Sequence, residues 1–73
     1  MVKIGDIVMI HHNHCCRDLV GLARVHSVDH FENCFLAASL DGRWNHTIYP
    51  DEGDSFSILE KRSNPFINVV GGI

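Results

Sequence analysis

Basic side chains are scarce in this 73-residue chain: 6 Lys and Arg stand against 9 Asp and Glu, for a formal net charge of −3. Binding to nucleic acid gains its affinity by displacing counterions from phosphate, which takes a clustered basic surface. Lys3, Arg17, Arg24, Arg43, Lys61 and Arg62 are scattered along the chain, and the densest charge is the acidic group Asp51, Glu52 and Asp54. Nucleic acid is therefore disfavoured as a partner. Long apolar runs are missing as well. Nothing approaches the roughly 18 residues needed to cross a bilayer, and residues 1–6 show no apolar core of a secretion signal, so no membrane partner is expected. Cysteine is limited to Cys15, Cys16 and Cys34. Neighbouring cysteines bridge only through a strained ring, and an odd count without a leader points to a reducing compartment, with the cytoplasm as the expected location. The sequon Asn45-His46-Thr47 carries no meaning there. A glycine-rich phosphate loop and a paired-carboxylate site are also lacking, which removes two common routes to catalysis.

What is present is a globular composition, 45% apolar, at a length near the lower limit for one self-sufficient core. Residues 5–10 are β-branched and apolar behind a Gly5-Asp6 turn, and read as a first strand buried on both faces or lying at a barrel seam. Residues 11–18 lose all apolar period and read as a loop. Strand character returns over 19–28, with Ala23 and Val25 on one face and Leu22, Arg24, His26 and Val28 on the other. Gly21 gives such a strand room to bend between sheets.

Residues 29–40 support two readings. With period two, Cys34, Leu36, Ala38 and Leu40 line one face of a strand. With a helical period, Phe31, Cys34, Phe35 and Ala38 share a stripe, and Asp29 with Glu32 makes a capping box. The strand is preferred because Asp41-Gly42 follows, the strongest short signal for a hairpin. Beyond it Trp44, His46 and Ile48 alternate with Asn45, Thr47 and Tyr49. Pro50 ends that strand, residues 51–54 form a turn or a short 3₁₀ segment, and 55–59 make a last strand with Phe56 and Ile58 inward. Residues 61–65 are a polar linker, and 66–73 are an apolar tail.

The runs Lys3-Ile4-Gly5-Asp6-Ile7-Val8-Met9-Ile10, Gly21-Leu22-Ala23-Arg24-Val25-His26-Ser27-Val28, Leu40-Asp41-Gly42-Arg43 and Tyr49-Pro50-Asp51-Glu52 through Phe56-Ser57-Ile58-Leu59 carry a resemblance. Their order resembles the SH3-like small β-barrel, in its KOW and Tudor-like branches, over about residues 3–60. The resemblance implies an all-β, five-stranded barrel at 1–60 with a long first loop, followed by a linker and apolar tail at 61–73. It argues fold and says little about activity. Its KOW branch implies the alternative of nucleic-acid binding through Lys3, Arg17, Arg24 and Arg43.

The most unusual composition lies in His11-His12-Asn13-His14-Cys15-Cys16. In an extended loop His12, His14 and Cys16 point one way, because strand side chains alternate. Two imidazoles and a thiolate supply three of the four ligands of a zinc site, with Asp18 or His26 as a fourth, and this is the metal-binding alternative. A solvated loop is the plainer reading, and no cofactor is expected. A catalytic thiol needs a base, an orienting group and an oxyanion hole held on a scaffold, and one loop of neighbouring residues does not provide them. Cys34 reads as a small core side chain.

Trp44 shares a face with Ile48 and is expected in the core, which leaves Asn45 and Tyr49 exposed. The tail residues Phe66, Ile67, Val69 and Val70 must dock on the barrel, pair with a second copy as a homodimer, or add to a partner. The expected function is thus that of a non-enzymatic binding module, a regulator or inhibitor that contacts a protein. Its contact residues are His12, His14, Arg17, Asn45, Tyr49, Asp51, Glu52, Asp54 and Phe66.

Overall fold

Residues 2–60 are described by a computed structural model. The linker at 61–65, the tail at 66–73 and the contact residue Phe66 lie outside them. The chain forms β1 (Ile7–His12), β2 (Gly21–Asp29), β3 (Cys34–Ser39), β4 (Asn45–Ile48), a one-turn 3₁₀ helix (Pro50–Glu52) and β5 (Ser55–Glu60). The strands make one antiparallel sheet in the order β4-β3-β2-β1-β5. The fold is all-β, with the preferred strand at 34–39 in place of a helix.

The inner face gathers Val8 and Ile10 from β1, Ala23 and Val25 from β2, Phe35 and Ala37 from β3, and Ile48 from β4, with Val2 beside them. Phe56, Ile58, Val28 and Trp44 pack on this cluster, so the expected inward placement of Phe56, Ile58 and Trp44 agrees with the structure. The rings of Phe35 and Phe56 meet edge to face, 4.9 Å between centroids at 71°. In a flat sheet β3 and β5 would be three strand spacings apart, about 14 Å. The sheet is therefore curled, so that side chains of β3 and β5 meet across its inner face, but it is not closed into a barrel. Among the described residues no ladder joins β4 to β5; the 3₁₀ turn spans the gap between these two edges.

Bulges produce the curl. The β2–β3 register shifts between Val25 and Ser27, and the β1–β5 register shifts on both sides of the stretch from Val8 to Ile10. Each extra residue bends its strand and steepens the twist. In β2 the shift also changes phase, which brings Val28 to the packed face although alternation from Ala23 places it outside. The register shift thus lies at His26.

Four further details differ from the sequence-based expectations. First, His11 and His12 belong to β1, so the loop begins at Asn13. Second, β3 buries Phe35, Ala37 and Ser39, the opposite parity to Cys34, Leu36 and Ala38. The large ring of Phe35 takes the central site facing β5, and Cys34 is buried outside the main cluster. Third, the β3–β4 connection is wider than a two-residue hairpin. Ser39 donates its N–H to the Trp44 carbonyl at 2.8 Å, Gly42 donates to the Ser39 carbonyl at 3.1 Å, and Gly42 has φ 78°, where a glycine is favoured. Fourth, Asp29 does cap the next backbone groups, accepting from Phe31 and Glu32 N–H at 3.0 Å each, but Asn33 at φ 54° ends the turn and no helix follows. The same short side chain caps a turn as well as a helix.

Candidate functional site

A concavity of about 320 Å³ opens where the β1–β2 loop, the β2–β3 turn and the 3₁₀ turn converge. It is lined by His14, Glu32, Asn33, Tyr49, Asp51 and Glu52. The convergence follows from a few polar contacts.

Asp54 is the principal one. It is buried, 5% exposed, directly after the 3₁₀ turn. Its Oδ1 accepts both the backbone N–H and the Nδ1–H of His14, each at 2.6 Å, and its Oδ2 accepts the Tyr49 N–H at 2.8 Å. A carboxylate only accepts, so the His14 tautomer carries its proton on Nδ1. Burial on its own would raise the carboxyl pKa of Asp54. The N–H bonds from His14 and Tyr49, with the His14 ring, outweigh it and hold the pKa below the ordinary aspartate value. Asp54 thus pins a loop residue forty positions away to the end of β4. The His14 and Tyr49 rings then stand edge to face, 6.3 Å apart.

Two other contacts complete the rim. Asn33 donates from Nδ2 to Asp51 Oδ2 at 3.0 Å, joining the β2–β3 turn to the 3₁₀ turn. The buried Asn13 accepts from Cys15 and Cys16 N–H at 2.9 and 3.1 Å, folding the loop back just after His14. Gly53, at φ 109°, closes the 3₁₀ turn by donating to the Pro50 carbonyl.

Of the expected contact residues, His14, Tyr49, Asp51 and Glu52 meet at this concavity, and Asp54 lies beneath it. Asp54, expected as an exposed contact, is buried, and its carboxylate accepts three hydrogen bonds from within the protein. His12 is exposed at the end of β1, Arg17 in the loop and Asn45 on β4, and none of these lines the concavity. Glu32 and Asn33 were not among the expected contacts, nor was Phe31, which is 94% exposed at the tip of the same turn. The Asp29 cap followed by an Asn that tolerates positive φ is the sequence signal for that turn.

The residues of the metal alternative, His12, His14 and Cys16, are not gathered. Among the described residues no three His, Cys, Asp or Glu side chains are placed to hold one ion, and His14 is turned to Asp54. The bases of the nucleic-acid alternative sit on four separate segments. Lys3 is in the N-terminal turn, Arg17 in the β1–β2 loop, Arg24 on the outer face of β2, and Arg43 in the β3–β4 turn, 3.9 Å from Asp41. No helix among the described residues is long and apolar enough to cross a membrane.

The three thiols are free and unequal. Cys15 and Cys16 are exposed, whereas Cys34 is buried. Burial pushes the Cys34 thiol pKa up, and the charges of Asp29 and Glu32 push it further. Since the thiolate is the nucleophile, iodoacetamide at neutral pH should add two groups quickly and the third only after unfolding. Intact-mass spectrometry over time reads this, and three equal rates would contradict the burial of Cys34.

Comparison with known proteins finds no matching family model, no matching characterised protein and no matching solved structure.

Proposed function

We propose that this chain is a non-enzymatic SH3-like binding module, a small cytoplasmic regulator or inhibitor that holds a cationic segment of a partner protein in the concavity at Tyr49. The SH3-like reading is supported by the meander β1 to β4, the return of β5 to β1, and the 3₁₀ turn that precedes β5. The binding reading rests chiefly on one observation. Three exposed carboxylates from two segments, Glu32, Asp51 and Glu52, surround a half-exposed tyrosine ring in a concave surface. That combination suits an Arg or Lys side chain, whose charge meets the carboxylates while its stem or guanidinium lies on the ring. The chain's net charge of −3 favours the approach of such a partner.

Fluorescence anisotropy with short labelled peptides tests this. Arg- or Lys-bearing peptides should bind, and the binding should weaken as salt rises, because exposed charges are screened beyond about 8 Å at physiological ionic strength. Peptides carrying Glu at the same positions should not bind. Reversing charge with Glu32→Lys and Glu52→Lys together should abolish binding without unfolding the domain, since both side chains are exposed. Equal binding of acidic and basic peptides would defeat the proposal. Tight, salt-dependent binding of labelled RNA or DNA would favour the nucleic-acid reading instead.

A further inference from the structure

The two most exposed large apolar side chains among the described residues border one surface. Phe31 is 94% and Ile4 66% exposed. Ile4 lines a concavity of about 370 Å³ together with Val2, Lys3, Val28 and His30. Phe31 follows His30 directly, and the next two residues, Glu32 and Asn33, line the acidic concavity at Tyr49. The β2–β3 turn therefore supplies a wall to each concavity and carries an uncovered phenyl ring between them. His30 and Glu32 are two residues apart, about 7 Å at most.

The fold has no use for that ring. Asp29 holds the turn by accepting the Phe31 and Glu32 N–H groups at 3.0 Å each, and Asn33 ties it to Asp51 at 3.0 Å. Those bonds come from backbone and polar side chains, and Phe31 takes no part in the core cluster. Single exposed apolar residues are ordinary, whereas neighbouring ones beside a concavity mark a surface that a partner covers. An aromatic ring on a turn already fixed by hydrogen bonds loses little freedom when it is covered.

We infer that the partner segment held at the Tyr49 concavity continues over the β2–β3 turn and sets an apolar side chain against Phe31 and Ile4. The inference rests on the peptide reading for its partner and adds the second half of the recognised motif. Charge sets the order of the two halves. Glu32, Asp51 and Glu52 receive the basic side chain, while the positive charge of Lys3 beside Ile4 disfavours a second cation there. An apolar side chain meets Val28, Ile4 and the Phe31 ring instead, the kind of aromatic contact on which binding energy concentrates.

Fluorescence anisotropy with labelled peptides tests the inference. One set carries Arg with a Leu about two to four positions away on either side, spacings of roughly 7–14 Å in an extended chain. A second set has Ser in place of Leu. The wild type should bind the best Arg–Leu peptide about tenfold more tightly than its Ser counterpart. Phe31→Ser should erase that preference and leave the affinity for the Arg–Ser peptide unchanged. Its urea midpoint should stay in place, because the ring is exposed. Equal affinity of the wild type for Leu and Ser peptides at every spacing would overturn this inference and leave the peptide reading intact. Failure of every Arg peptide to bind would overturn both. If Phe31→Ser altered the sedimentation coefficient and not the peptide affinities, Phe31 would belong to a contact between copies, and the inference would fall.

Discussion

Asp54→Ala should destabilise the domain by about 3 kcal/mol, read as a shift of the urea midpoint at unchanged slope. The basis is the loss of charge-assisted hydrogen bonds from the His14 and Tyr49 N–H groups, each worth about 1.5–3 kcal/mol, partly offset where water reaches the vacated donors. Asp54→Asn keeps an acceptor and should lose less. The effect depends on pH with a definite sign. The folded-state pKa of Asp54 is lowered, so its contribution is fully present above the unfolded value of about 3.9. It is lost as pH falls through the lower folded pKa. The wild type and Asp54→Ala should therefore differ in stability at pH 7 and converge in strong acid. A difference that persisted there would assign the loss to packing and not to the carboxylate.

Phe35→Ala should have the largest effect, about 4 kcal/mol, because a fully buried phenyl ring leaves a cavity that a rigid sheet cannot fill. Native domains have about 5–15 kcal/mol in all, so this variant should be close to unfolded at 37 °C. The more informative quantity is its coupling to Phe56. A double-mutant cycle with Phe56→Ala should return about 1 kcal/mol of interaction, the usual worth of an edge-to-face pair beyond its area. Zero coupling would mean that β3 and β5 do not meet, and the curl of the sheet would be wrong.

Most of the strand framework is legible from local chemistry. Alternation in β2 and β4 places Ala23, Val25, Trp44 and Ile48 correctly. Asp6, within a Gly-Asp turn, accepts the Lys3 N–H at 2.8 Å and starts β1 as the residue pair suggests. Parity in β3 is not legible, because apolar residues occupy both faces of Cys34–Ser39 and the choice is made across the sheet by Phe56. The phase change at Val28 is hidden for a similar reason: a bulge is a pairing event, and β2 alone does not encode it. Part of the candidate site was visible in His14, Tyr49, Asp51 and Glu52. The separate roles of Asp51 and Asp54 were not, since two acidic residues in one turn look alike until a loop forty positions away donates to one of them.

The account depends most on Asp54 joining the loop to the turn, since without that tie His14 and Tyr49 do not share a surface. The amide proton shifts of His14 and Tyr49, followed by NMR from neutral pH into acid, report on it directly. Both should move with one common inflection, below the ordinary aspartate value near 3.9. Two separate inflections would show that no single carboxylate holds both segments, and a common one at or above that value would show that the hydrogen bonds do not outweigh burial.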